Sequence, residues 1–383
     1  LANFRLPTLL TAIGLTGLAL ATADCKRRSV AWDTPTVPNV DAAIPDAGLP
    51  DALDASMITG DDSKKKVELR EVAMGTSVTF VAFTNDRVDE AAARSLLSKA
   101  LEEIKRLEAA LSEWKDDSDI GKLNRANGEW TAVGPEALEM IQKGIAAGKM
   151  SDGTFDITFQ VMGDLWKFGD ARDSSPKVPN KTDVQNKKKL IDYRKIELDG
   201  DKVRLAKGQK IGLGGIAKGF IVDKAVRVLK DGGLDSFLVQ AGGDLYGSGR
   251  KPDGSPWVSG VQDPRGGGGK YFGVLELEDH AFSTAGDYAR AYVVDGKRYH
   301  HIIDPRTGYP ATACRSVTVW ATDALTADTV DDAVFILGPE KGLALVESLD
   351  GVGAVIVDAS NKVWVSKRLE GKWKQIGPPT DGP

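Results

Sequence analysis

Strand-like and helix-like patterns follow one another along this chain in no regular order, and that irregular succession limits the folds open to it more than any other feature. Residues 67–83 alternate apolar and polar side chains about Gly75, as a strand pair does. Leu97, Leu101, Ile104, Leu107 and Leu111 then recur at spacings of three and four, which lines one face of a helix within residues 86–114. Gly134-Pro135 predicts the start of another helix that ends near Gly148. Short strands are expected at 196–198 and 203–205, a helix at 216–229, and a strand at 236–240 that runs into Ala241-Gly242-Gly243-Asp244. Strands follow at 258–261, 271–277 and 291–294, with a loop tip at residues 266–269. Helices are expected at 325–337 and after Pro339, and a closing hairpin pairs 354–357 with 363–366. Residues 169–190, with Pro176, Pro179 and a lysine run, read as a surface excursion. A doubly wound sheet requires a strict β–α alternation that is absent here, so the class is α+β.

The beginning of the chain obeys different rules. Arg5 precedes an apolar stretch, residues 9–20, about as long as a secretory core and short for a membrane span. Small residues lead on to Cys25, placed like the lipid-modified cysteine of bacterial lipoproteins, with ordinary signal cleavage as the alternative. Residues 31–62 hold seven aspartates, four prolines and no lysine or arginine, too little apolar surface to offset chain ordering. The expected layout is a signal peptide with Cys25 over residues 1–25, an acidic tether over 26–63, and one folded domain over 64–378. It implies export and a lipid anchor.

Composition removes some chemistries. A net charge of −5 offers no basic footprint for nucleic acid. Two cysteines and three histidines cannot build a disulfide scaffold or a multi-histidine metal centre.

Three segments carry chemistry. In Gly212-Leu213-Gly214-Gly215-Ile216-Ala217-Lys218-Gly219, glycines before a helix let backbone N–H groups approach phosphate oxygens. A dinucleotide fingerprint needs a strand just before it, and Gly208-Gln209-Lys210-Ile211 is a poor central strand. Glycines serving close packing alone are the other reading. Asp328, Asp331 and Asp332 share one helix face, where three carboxylates repel unless they are solvated or neutralised by a cation such as Mg²⁺. His300 and His301 stand before the turn Asp304-Pro305-Arg306-Thr307-Gly308, placed for acid–base work or for structural hydrogen bonds.

Taken in order, these and further segments resemble the FAD:protein FMN transferases, the ApbE-like flavin transferase lipoproteins. The shared pieces are Met74-Gly75-Thr76, Leu111-Ser112-Glu113-Trp114, Asp117-Ser118, Leu123-Asn124, residues 151–158, residues 165–169, the Lys218 segment, Gly242-Gly243-Asp244, residues 283–288, the His301 run and the Asp328 helix. The resemblance covers about residues 67–373. It implies a T-fold-like architecture with FAD between two lobes. Met74, Trp114, Thr154, Phe155, Asp156, Gly212, Lys218 and Ile303 would surround the cofactor. Asp328, Asp331, Asp332 and the Gly215 carbonyl would hold Mg²⁺, and His301 would be the base.

The sequence departs from the family at three places. Trp114 stands where tyrosine is usual, Gly212 where aspartate is usual, and Asp332 where threonine is usual. The implied reaction moves FMN from FAD to a threonine or serine hydroxyl of a client redox protein and releases AMP, on the periplasmic side of a bacterial membrane. Alternatives are a pyrophosphatase that uses water at the same site, a flavin-binding lipoprotein without turnover, and a nicotinamide dehydrogenase resting on the glycines alone.

Overall fold

A computed structural model describes residues 63–168 and 177–382 of the chain. The expected signal peptide, Cys25 and the expected tether up to residue 62 lie outside the described residues. So do residues 169–176 of the polar excursion.

The frame is one eight-stranded sheet: β1 (Lys66–Ala73), β2 (Thr76–Phe83), β3 (Phe237–Ala241), β4 (Asp244–Ser248), β5 (His280–Gly286), β6 (Cys314–Ala321), β7 (Gly353–Asp358) and β8 (Val363–Val365). Each strand pairs antiparallel with the next in the chain, so spatial order equals sequence order. The expected α+β class is what the fold displays. Among the described residues seven α-helices accompany the sheet: α1 (Glu90–Leu111), α2 (Asp119–Arg125), α3 (Pro135–Met150), α4 (Lys181–Lys188), α5 (Ala217–Asp231), α6 (Ala324–Leu337) and α7 (Pro339–Ser348).

One sheet face lies under α1, α5 and α6, where Val78, Phe80, Val239, Val317, Val319 and Ile356 are buried with the apolar stripe of α1. Each fully buried Leu or Ile of that stripe contributes roughly 1.5–3 kcal/mol. The other face packs on a small sheet made of Trp257–Gln262, Tyr271–Leu277 and Trp373–Gln375, with Leu245, Phe282, Trp320 and Val357 between them. A third cluster gathers Val161, Met162, Trp166, Val184 and Ile303 beside a run of stacked rings, including Trp166–Phe168 at 5.9 Å and Phe168–Tyr292 at 5.1 Å.

Most expected elements appear within a residue or two of their limits. The polar excursion differs: it contains α4, capped by Asn180, whose side chain accepts from the Asp183 N–H at 2.9 Å. With Val184 as its only buried residue, α4 has no apolar stripe to announce it. Among the described residues no helix is long and apolar enough to cross a membrane.

Candidate functional site

The hairpin joining β1 to β2 has a two-residue turn, and both residues, Met74 (φ 54°) and Gly75 (φ 67°), are left-handed. A methionine held there costs backbone energy, and the turn carries it to the wall of a cavity of about 530 Å³. Trp114, three residues beyond α1, also lines this cavity and is 78% exposed. An indole that large and that bare is a plate with no ring against it.

Across the cavity stand Thr154, Phe155 and Asp156. Their polar atoms face inward. Thr154 Oγ1 donates to Ser151 O at 2.8 Å, while Asp156 Oδ1 accepts from Thr158 N and Oδ2 from Tyr193 N. These residues set the shape of the wall and have little hydrogen-bonding capacity to spare. Ile303 lines the cavity as a buried apolar contact. Gly212 does not reach it: its N–H donates to Ile157 O at 2.8 Å, and the Gln160 side chain stands over its Cα.

The charged end is built from two helices and two strands. The first three N–H groups of α6 are satisfied, Ala324 and Leu325 by the Asp223 carboxylate of α5 and Thr326 by Asp323. That clamp sets α6 against α5, and Gly219 makes the contact: a Cβ there would sit 2.2 Å from Ala324 O. Asp328 and Asp331 are each only 3% exposed, so the solvated-face alternative for this helix does not hold. Asp332 lies at the cavity wall, its Oδ2 so close to Gly215 that a Cβ on that glycine would come within 2.4 Å.

Lys218, in the first turn of α5, contacts Asp244 of β4 and lies 3.5 Å from Asp328 Oδ1. Asp328 Oδ2 accepts the Gly219 N–H at 2.9 Å. Ser283 Oγ of β5 lies 2.5 Å from Asp244 Oδ1 and 2.7 Å from Asp331 Oδ2. One hydroxyl proton cannot be donated to both carboxylates at once, so Ser283 satisfies only one of them at a time. Burial, and then the neighbouring carboxylates, hold Asp331 well above the usual range. Burial first pushes Asp328 to about 7 despite Lys218, and likewise Asp332.

The expected metal cage is not closed. Among the described residues, no three His, Cys, Asp or Glu side chains are arranged to hold an ion as they stand. Lys218, the Gly219 N–H and Ser283 satisfy part of the carboxylate set instead. The donor chemistry nonetheless fits a hard cation: the set is all oxygen, Asp328 and Asp331 are buried, and among the described residues Lys218 is the cation that contacts it.

The two histidines separate in role. His300 is buried, its Nε2 donates to Ala311 O at 2.7 Å, and its ring packs edge-on against Phe335. His301 lines the cavity, and its buried Nδ1 has no hydrogen-bond partner among the described residues. Burial, reinforced by the Arg290 charge, lowers its pKa to about 3, so the ring is neutral.

Sequence reading gave no role to Asp244, Ser283, Glu113 and Arg290. Asp244 and Ser283 lay inside recognised segments, but only strand register brings them together. Glu113 Oε2 accepts the Leu213 N–H at 3.3 Å, which fastens the glycine loop to the residue before Trp114. Arg290 lines the cavity, and its carbonyl accepts the His301 N–H at 3.2 Å.

Comparison with known proteins places this geometry. The model of the ApbE family matches residues 74–356. An FAD:protein FMN transferase of Treponema pallidum is 34% identical over 70% of this chain and 79% of its own length. One of Klebsiella pneumoniae is 30% identical over 77% and 86%. Among solved structures, the ApbE protein of Thermotoga maritima is 33% identical with a TM-score of 0.74, covering 80% of this chain and 99% of its own. The flavinyl transferase ApbE of Pseudomonas stutzeri, in its apo form, is 30% identical with a TM-score of 0.72, covering 81% and 97%.

Proposed function

This chain belongs to the ApbE family and has the activity of the FAD:protein FMN transferases it matches, and from that premise we propose that it works with Mg²⁺ and delivers FMN to a threonine or serine hydroxyl. The observation that carries the reading is one cavity with an uncovered indole on its wall and a buried acid–lysine cluster in the same wall. The indole suits a flavin ring, and the charged cluster suits a pyrophosphate.

Trp114 and Met74 bind and orient the isoalloxazine system, with Phe155 and Ile303 completing an apolar wall that excludes water. Lys218 faces the pyrophosphate. Asp328, Asp331, Asp332 and the Gly215 carbonyl would hold Mg²⁺, which neutralises charge developing on phosphate oxygens and on the departing AMP. The acceptor oxygen bonds to the FMN phosphorus as the bond from that phosphorus to the AMP oxygen breaks. His301, neutral and unpartnered at Nδ1, takes the hydroxyl proton. Burial and Arg290 weaken its basicity, and an anionic pyrophosphate beside it would raise it by favouring the imidazolium.

Incubation with FAD, Mg²⁺ and a candidate client tests the reading, with the client's mass as readout. A gain of one FMN is expected. FMN and AMP released with no protein adduct would select the pyrophosphatase instead. For location we propose an exported enzyme anchored through Cys25. The apolar stretch before that cysteine supports this, and Cys25→Ser should release the protein from membranes.

A further inference from the structure

We propose that the acceptor segment of the client binds as an added strand along the open half of β5, with a residue flanking the acceptor hydroxyl in a second cavity. The proposal rests on the transferase reading above, since it supplies that reaction's second substrate.

Strand pairing is the first observation. β5 pairs with β6 from Ala281 to Gly286 but with β4 only from His280 to Phe282. β4 begins at Asp244, beside Ser283, and the chain turns at Gly242-Gly243 next to Thr284, so among the described strands Ser283–Gly286 forms ladder pairs only with β6. An edge of this kind offers main-chain N–H and C=O groups to an extended peptide.

The second observation is where that edge lies. Ser283 touches Asp244 and Asp331, and Ala285 is buried in the helix-side core. Thr284 and Gly286, on the opposite face, line both the large cavity and a neighbouring one of about 210 Å³. Side chains on a strand alternate between faces. A peptide paired here that turns its hydroxyl toward the carboxylate–lysine cluster therefore turns the adjacent side chain toward the second cavity.

The cavity's lining indicates what it accepts. Ser259, Gln240, Gln262 and Tyr271 contribute to the wall, and glycines 268 and 269 of the hairpin tip form part of it. Among the described residues the buried Tyr271 hydroxyl has no partner, a cost that an arriving polar group would relieve. The occupant that suits this lining is a small polar side chain.

The test uses the whole chain with FAD, Mg²⁺ and a pool of short peptides that share one threonine and are randomised at the flanking positions. Flavinylated members are identified by mass. The parent is expected to enrich small polar residues about tenfold at a position next to the threonine. Gln262→Trp, which fills the cavity, should abolish that enrichment, and Tyr271→Phe, which keeps its shape, should weaken it. FAD affinity, read by tryptophan quenching, should stay within about twofold in both variants, because acceptor selection and cofactor binding are separable. Unchanged enrichment in both variants would overturn the proposal. So would a loss of FAD affinity in Gln262→Trp, which would assign the cavity to the cofactor. If the parent splits FAD but labels no peptide, the strand-addition proposal fails and the site assignment stands. If it neither binds nor splits FAD, the transferase reading itself fails.

Discussion

Trp114 is exposed enough to report directly on flavin. Replacement by leucine keeps apolar bulk but removes the stacking plane, and should weaken FAD about tenfold while abolishing most of the tryptophan quenching seen on titration. Quenching equal to the parent's would put the flavin elsewhere. His301 makes a pH prediction. Its pKa falls from the ordinary histidine value to about 3 on folding, so the unfolded chain binds the proton more readily between those limits. The stabilising contribution is complete above about pH 6.5 and is lost as pH falls toward 3. Urea midpoints of parent and His301→Gln should therefore converge in acid, and a constant difference across that range would contradict the burial described. For the carboxylates, Asp328→Ala should be the most damaging change, because Asp328 meets both Lys218 and the Gly219 N–H. Asp332→Thr should keep activity with a shifted magnesium requirement. Transfer rates across a magnesium titration and in EDTA compare them, and a parent fully active in EDTA would remove the metal from the scheme. The i, i+3, i+4 spacing of these acids was readable in sequence. Their burial was not, because it depends on β4 and β5 packing over α6.

Helix α6 shows how an element can hold like charges in a core. Its first N–H groups are capped by Asp223 and Asp323, so its geometry is fixed before any cation is considered. Asp223→Ala leaves two helix N–H groups without their acceptor and should cost about 1–2 kcal/mol in urea unfolding. Because α6 carries the acid cluster, magnesium affinity should fall with it, and an unaltered unfolding midpoint would show that water replaces the clamp fully. At this scale legibility followed exposure. α1 is amphipathic and half solvated, and its apolar spacing gave it away. β4 has all five residues buried and β6 nearly all, so neither shows the period-two alternation that marks a half-exposed strand. β5, His-Ala-Phe-Ser-Thr-Ala-Gly, is rich in small residues and is defined by its partners rather than by propensity. The strands at the centre of the sheet were therefore the ones sequence patterning left out.

For the whole molecule, the acidic segment 26–63 should be dispensable for chemistry, because its few apolar residues follow no helix or strand periodicity. A chain lacking it should transfer FMN in solution at the parent's rate, and loss of FAD binding would show that the segment belongs to the catalytic body. The neighbour-to-neighbour order of the frame has a consequence for how the protein is made. Six of its eight strands lie beyond the midpoint of the chain and the other two form a tight hairpin, but β2 must meet β3 across the 84–236 excursion. Closing so long a loop is the slow, entropically opposed event of assembly. That excursion supplies Trp114 and Phe155 to the cavity, and the strands that close it supply Gly242, Gly243 and Ser283. A flavin nucleotide spanning the two acts as a staple across the loop, so the enzyme's own substrate should slow its unfolding and lengthen its survival against proteases.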